Sequence, residues 1–127
     1  MLEIEVNGAT DTSMAKTVAK SVVTSSLFKA AMFGADANWG RVLCAIGYSG
    51  ADVDVNKIDV SFKSKAGEVA LCKNGAGVDF SEDKAKKVLT ESEITTVINL
   101  NLGNVSATAW GCDLTYDYVK INGDYRT

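Results

Sequence analysis

The residues best suited to holding a small charged molecule stand at the end of the chain. Asn122 and Thr127 lie five positions apart in the final stretch, "INGDYRT". An amide, a hydroxyl and a free α-carboxylate can together bind the ammonium and carboxylate groups of an amino acid. On this functional interpretation a bent or frayed helix end brings both side chains to one pocket, which the periodicity by itself does not establish.

The same tail also has a purely structural interpretation. Its apolar residues recur at i, i+4, i+7 and i+11, the spacing of an amphipathic helix. These residues are Leu114, Tyr118, Ile121 and Tyr125. A C-terminal helix docked on the domain would explain them without any ligand, and the pattern alone leaves both interpretations open.

A second candidate is the stretch "DANWGR", residues 36–41, which puts an aromatic ring and a cation on a loop before a helix. We interpret Trp39 as a packing residue whose indole N–H finds a nearby acceptor. Arg41 is either the partner in a structural ion pair or a clamp for a substrate carboxylate. Its residue type and position do not decide between the two roles.

Three other motifs favour structural interpretations. Thr10 follows a strand and precedes a helix, where its hydroxyl would cap backbone N–H groups or lie in a plain turn, with Asp11 and Thr12 as alternative caps. "KNGAG", residues 73–77, lacks the third glycine of a dinucleotide-binding loop because position 80 is Phe80, and it predicts a turn. The odd number of cysteines at wide spacings favours small buried thiols in a reducing cytoplasm over disulfides or zinc. They are Cys44, Cys72 and Cys112.

Composition limits the chemistry further, because the chain has no histidine. A Ser-His-Asp or Cys-His site cannot be built from it alone, nor can a His-ligated metal site. A catalytic base would be a carboxylate, a lysine, an amine or a group from another chain. The net charge of −3, spread in both signs, argues against a nucleic-acid partner.

Length and hydropathy predict one soluble domain over residues 1–127. The longest apolar run covers residues 42–48, far short of the ~20 residues that span a bilayer. We therefore expect no membrane partner, and we find no signal peptide at the start of this sequence. These features are typical of a cytoplasmic protein.

Alternating apolar residues predict strands at 2–6, 58–63, 68–73, 94–102 and 105–114, the last two joined as an antiparallel hairpin. Helical spacing predicts a helix at 14–23, a second from Arg41 to Gly47 or Gly50, a third from Ser81 and the tail helix. The run "LFKAAMFG" is short and bounded by glycine, which favours a strand. This mixed order predicts an α+β fold, with helices packed on a mixed, mostly antiparallel sheet as a roll or two-layer sandwich.

Two segments resemble one known family in their residues as well as in their periodicity. They are "SLFKAAMFGADANWGRVLCAIGYSG", residues 26–50, and "ATAWGCDLTYDYVKINGDYRT", residues 107–127. Both are very similar to the ornithine acetyltransferase family, also called bifunctional glutamate N-acetyltransferase or ArgJ. The second match is highly specific, while the elements between fit more loosely. Ala37 stands where the family usually has the proline of "DPNWGR".

The resemblance implies an acyltransferase of arginine biosynthesis. Family members move acetyl from N2-acetylornithine to glutamate, and some also accept acetyl-CoA as a donor, with no other cofactor implied. The precursor cleaves itself before a threonine to give α and β chains, and that threonine then carries the acetyl group. An N-terminal threonine can use its own α-amine as the base, which requires no histidine.

The family's substrate-binding asparagine and its terminal threonine or serine match Asn122 and Thr127. The sequence after the family's nucleophile, beginning Ala-Thr-Met-Leu, is not found in this sequence, so Thr10 does not inherit that role. The family's oxyanion-hole threonines, substrate lysine and binding glutamate have no match either. The resemblance thus implies the C-terminal part of a β chain, without catalytic residues and inactive alone.

The implied partner is the N-terminal segment of the same enzyme, the α chain and upstream β chain, in a hetero-oligomer that binds N2-acetylornithine and glutamate. The alternative is a non-catalytic binding or assembly module derived from that enzyme. A third hypothesis is an unrelated ligand-binding domain with chance similarity.

Overall fold

The structure is a computed structural model that describes residues 1–111 in full and residues 117–121 as backbone. The predicted site residues Asn122 and Thr127, and also Cys112, lie outside the described residues. Within the described ranges, no helix is both long and apolar enough to cross a membrane.

One mixed sheet forms the frame of the domain, with the strand order β4-β3-β2-β5-β1-β6-β7. Its strands are β1 (Leu2–Ala9), β2 (Asp59–Ser64), β3 (Gly67–Lys73), β4 (Ala76–Gly77), β5 (Ile94–Asn99), β6 (Val105–Gly111) and β7 (Asp117–Ile121). The central strands β1 and β5 run parallel, and the other neighbours run antiparallel.

Helices cover one face of this sheet: α1 (Thr12–Val23), α2 (Ser26–Phe33), α3 (Trp39–Gly47) and α4 (Glu82–Leu89), with a 3-10 turn at Val55–Lys57. Each α-helix begins behind a side chain that accepts a hydrogen bond from a backbone N–H of its first turn. Such caps satisfy donors that have no partner inside the helix. The capping residues are Asp11, Ser25, Asn38 and Ser81.

The core lies between the helices and the inward side of the sheet. Ile4 of β1, which is 0% exposed, stands beside Ala109 of β6 and Thr96 of β5, and Phe62 continues the same row on β2. The helices add alternate-turn residues such as Val18. Burial of apolar surface at about 25 cal/mol per Å² drives this packing. The α+β prediction is confirmed.

Three predicted elements are wrong. "LFKAAMFG" belongs to the helix α2, because Ser25 accepts the Phe28 N–H at 3.2 Å and starts a helix there. Strands β5 and β6 are not a hairpin, because β1 lies between them. Residues 117–121 of the predicted tail helix form β7, which pairs with β6. The rest of that helix prediction lies outside the described residues.

Candidate functional site

The last described residue of the chain lies at one end of the sheet. Ile121, the last described residue, lies opposite Ala107 on β6, and Ala107 lies opposite Val6 on β1. This end is where β1 and β5 stop and β6 begins. The residue before Asn122 therefore stands two strands away from the end of β1.

Polar side chains are linked in series at this end of the sheet. The Ser106 hydroxyl donates to Asn7 Oδ1 at 2.9 Å, and the Asn7 amide donates to Glu5 Oε2 at 2.9 Å. Because both ends of the Asn7 amide are occupied, its orientation is fixed. This series of hydrogen bonds connects the first residues of β6 to the polar side of β1.

The loop between β5 and β6 closes the same end. The Leu102 and Gly103 N–H groups both donate to Gly8 O at 2.8 Å, so the loop crosses over the end of β1. The Asn101 amide donates to Lys57 O at 2.7 Å and to Asp59 Oδ2 at 3.1 Å. These bonds make the end of the sheet a fixed platform beside the last described residue of β7.

The face of the sheet away from the helices carries a second polar array. The Glu3 carboxylate accepts from the Thr95 hydroxyl at 2.8 Å and from Trp110 Nε1 at 3.0 Å. Lys63 Nζ lies 3.8 Å from Glu5 Oε1. These side chains are half-buried, apart from the exposed Lys63, although no described helix covers this face.

The polar and acidic side chains of the described residues form hydrogen-bonded arrays and no metal cluster. Among them, no group of three His, Cys, Asp or Glu side chains is placed to hold a metal ion. The polar groups at the sheet end bond to one another, as the Ser106–Asn7–Glu5 chain does. The described residues at this end of the sheet therefore form a rigid, mutually bonded polar platform.

The two residues of "DANWGR" separate in the structure. Arg41 Nη1 donates to Leu27 O at 2.8 Å and joins α3 to α2. The Trp39 ring is half-buried against β4, where a Cβ on Gly77 would lie 2.7 Å from its Cζ2. Trp39 is thus a packing residue, as predicted. The Arg41 guanidinium therefore bonds to a backbone carbonyl, which matches neither of the two predicted roles.

The other two structural motifs behave as turns. Thr10 is exposed between β1 and α1, and Asp11 accepts the Met14 N–H at 2.8 Å in the cap position. Asn74 and Gly75 have φ angles of 51° and 76°, and the Asn74 N–H donates to Asp59 Oδ1 at 2.9 Å. Both positive angles are those of a tight hairpin turn, so the turn prediction at "KNGAG" is confirmed.

The cysteines differ in their surroundings. Cys72 on β3 is buried, and removal from water raises the pKa of its thiol, with the Asp59 carboxylate adding to the rise and a backbone hydrogen bond from Gly75 opposing it. Cys44 on α3 is exposed. The prediction of buried thiols is confirmed for Cys72 and wrong for Cys44, because Cys44 lies on the outward side of its helix.

We expect this difference to appear in thiol chemistry. In a Cys112→Ser background at pH 8, one thiol should react quickly with 5,5′-dithiobis(2-nitrobenzoate), and the second should react only on unfolding, because the thiolate is the nucleophile. Cys44→Ser should remove the fast phase, and Cys72→Ser should remove the slow one. Equal rates for both thiols in the native protein would contradict the burial of Cys72.

Several residues of this region were missed by sequence reasoning. Glu3, Asn7 and Ser106 stood only as polar positions in alternating strands, and alternation does not reveal which side chains bond across strands. Lys29 was missed because its segment was predicted as a strand. It is only 1% exposed on α2 and engaged with a partner, as a buried ammonium requires. The sequence feature that could have indicated a helical, buried Lys29 was a lysine among apolar residues that follow a capping serine.

Comparison with known proteins extends over the whole chain. It is 54% identical over 127 residues to the arginine biosynthesis bifunctional protein ArgJ 1 of Clostridium acetobutylicum. It is 47% identical over 122 residues, 96% of the chain, to the glutamate N-acetyltransferase of Methanopyrus kandleri. In both cases the chain spans 31% of the relative, and the matches fall in the C-terminal part of the relatives.

The fold has a solved counterpart as well. The crystal structure of the arginine biosynthesis bifunctional protein argJ from Bacillus halodurans superposes with a TM-score of 0.79 at 43% identity. The superposition covers 91% of this chain and 53% of that one. The model of the ArgJ family matches residues 1–127. The chain belongs to the ArgJ family.

Proposed function

We propose that this chain is the C-terminal domain of a cytoplasmic enzyme that transfers acetyl from N2-acetylornithine to glutamate in arginine biosynthesis. The observation that carries the proposal is the family match over residues 1–127. The relatives are named for arginine biosynthesis and for glutamate N-acetylation. Because the chain spans only 31% of their length, the rest of the catalytic machinery belongs to an upstream segment.

The reaction needs a nucleophile that this domain does not supply. In the proposal, the upstream precursor cleaves itself and exposes an N-terminal threonine. Its hydroxyl attacks the acetyl carbonyl, the amide C–N bond breaks, and ornithine leaves after its amine takes up the proton. The amine of glutamate then attacks the acetyl ester, which forms N-acetylglutamate and restores the hydroxyl. Acetyl-CoA would serve as an alternative donor in the same site.

This domain would contribute one wall of the amino-acid pocket through Asn122 and Thr127. The support is the backbone of β7, which runs along β6 and brings the chain to Ile121 beside the fixed end of the sheet. Strand pairing and the bonded loop over β1 give the following segment a rigid base. A positioned amide and hydroxyl would bind the polar groups of the substrate.

The helix-free face of the sheet would be the main contact with the upstream segment. The described helices cover one of the two faces, and the other face can therefore receive a further layer, as sheets with layers on both faces do. The uncovered face carries Glu3, Thr95 and Trp110 in a mutually bonded array with half-buried side chains. The upstream segment of the longer family members would provide the second layer.

A two-piece assembly experiment tests the proposal. This chain should co-purify with the upstream two-thirds of the Clostridium acetobutylicum relative when both are expressed together. The complex should transfer acetyl from N2-acetylornithine to glutamate, and neither piece alone should do so. Turnover by the 127-residue chain alone, or no complex between the pieces, would overturn the proposal.

A non-catalytic assembly module derived from the enzyme is the alternative. The described part of the chain favours it to this extent: its polar groups are bonded among themselves, as in the Ser106–Asn7–Glu5 chain. In that case the complex would form and be active, but its activity would not change with Asn122→Ala or with removal of Thr127.

A further inference from the structure

An apolar strip lies on the outer side of the helical layer, opposite the sheet. The side chains of Leu27, Phe33 and Tyr48 are 65%, 59% and 91% exposed. Leu27, Tyr48 and the exposed Cys44 also line one shallow groove of about 430 Å³ between α1, α2 and α3. We call the surface formed by Phe33, Ala30, Leu27, Cys44 and Tyr48 the α2–α3 strip.

The other two helices have outer surfaces of a different kind. On α1 the exposed residues include Lys16 and Lys20, and on α4 they are almost all charged. On α2 and α3, both described in full, no fully exposed residue carries a charge, and the half-buried Arg41 is the charged residue of these helices that lines the groove. The exposed residues there and at the helix ends are Ser26, Leu27, Ala30, Phe33, Gly34, Gly40, Cys44, Gly47 and Tyr48. Apolar patches bordered by polar surface mark interaction sites.

One end of the strip lies beside the first residue of the chain. Met1, itself 51% exposed, lines a groove of about 300 Å³ together with Met32, Phe33 and Ala35. Its carbonyl oxygen accepts from the Ile94 N–H at 3.1 Å and its backbone nitrogen donates to Ser92 O at 2.8 Å, which fixes its position. In the relatives, whose C-terminal part this chain matches, the polypeptide continues upstream of this point. That upstream segment would therefore arrive next to Phe33.

The dimensions of the strip also bear on what covers it. Helices of eight and nine residues are about 12–14 Å long and about 10 Å wide. That surface is much smaller than the ~800 Å² per partner of a standard interface, so a second copy held by this strip alone would bind weakly. A segment continuous with Met1 needs only a few extended residues, at about 3.3 Å each, to cover α2.

We propose that the α2–α3 strip is the docking surface for the segment that immediately precedes residue 1 in the longer family members. The segment would place apolar side chains over Phe33 and Leu27 and reach the groove beside Tyr48. This inference rests on the proposed function, because it assumes the same upstream partner. It adds a second contact surface, on the opposite side of the domain from the helix-free sheet face.

The test uses the two-piece complex with the upstream segment of the Clostridium acetobutylicum relative. Leu27→Asp and Phe33→Asp should each weaken association at least tenfold in a titration followed by fluorescence anisotropy. Ser13→Asp, which adds the same charge at an exposed position of α1, should change it less than twofold. Melting temperatures of the variant chains verify that they fold, since all three positions are exposed.

A second measurement does not depend on affinity. Labelling of Cys44 by a maleimide should slow at least tenfold when the complex forms. If the complex forms but Cys44 labelling is unchanged and both Asp variants bind normally, the inference is wrong while the proposed function stands. A Cys44–Cys44 cross-link between two copies that Leu27→Asp abolishes would assign the strip to a second copy instead. Failure of the unaltered pieces to associate would refute the proposed function and this inference together.

Discussion

Gly8→Ala is expected to destabilise the domain by about 2–5 kcal/mol, a large part of the ~5–15 kcal/mol that holds a domain of this size folded. Gly8 has a φ of 75° near the end of β1, a conformation that costs other residues about 1–2 kcal/mol. An added Cβ would also collide with Asn99 Oδ1 and stand 2.7 Å from the Asn101 nitrogen. Overpacking of this kind costs a further ~1–3 kcal/mol.

The matched control is Gly47→Ala at the end of α3. No atom lies within 4 Å of an added Cβ there, and alanine is the better helix former by up to about 1 kcal/mol. Urea unfolding followed by tryptophan fluorescence measures both variants. Gly47→Ala should leave the midpoint unchanged or raise it, whereas Gly8→Ala should lower it steeply. Equal midpoints for the two variants would show that the loop over β1 is not as closely packed as described.

The contacts at Gly8 also show why the strand order could not be predicted from segments that are adjacent in the sequence. Strands β5 and β6 are separated by only five residues, which favours a hairpin. In the structure β1 is inserted between them, because the loop crosses the end of β1 and donates two N–H groups to Gly8 O. Long-range pairing of this kind leaves no local pattern, although the alternation that defined β1 itself was read correctly.

Helix α2 shows the opposite difficulty. A local sign of a helix, the serine cap, was present, but the short apolar run bounded by glycine favoured a strand. The run 27–33 is short and almost wholly apolar, so its periodicity does not separate strand from helix. The deciding feature is Ser25, which accepts the Phe28 N–H and turns the chain into a helix. Caps at Asp11, Asn38 and Ser81 act in the same way.

The candidate site was singled out by residue identity and not by periodicity. Residues 117–121 satisfy a helical spacing through Tyr118 and Ile121, and equally an alternating one through Val119 and Ile121. The structure has them as β7, because β6 offers an open edge with which a strand can pair. Asn122 and Thr127 were singled out by the resemblance, and their roles stay predictions. The polar platform beside β7 depends on cross-strand bonds that only the fold reveals.

The strongest test of the site itself is Asn122→Ala in the assembled two-piece enzyme. A hydrogen bond from an amide to a charged substrate group contributes ~1.5–3 kcal/mol, so its loss should raise KM for N2-acetylornithine about 10–100-fold. If the amide binds substrate and transition state equally, kcat should change little. Removing Thr127 should act on KM in the same direction.

Asn104→Ala is the matched control, because it makes the same change at an exposed turn residue within the described chain. Steady-state rates of N-acetylglutamate formation, measured over a range of N2-acetylornithine concentrations, give both constants. Asn104→Ala should leave them within twofold of the unaltered complex. A variant at Asn122 that matches this control would remove the residue from the pocket, and the platform at the end of β1 and β6 would then support assembly alone. A raised KM in the Asn122 and Thr127 variants, with kcat and the Asn104 control unchanged, would instead support a substrate-binding role for both residues. The platform at the end of the sheet would then be the base that supports their segment.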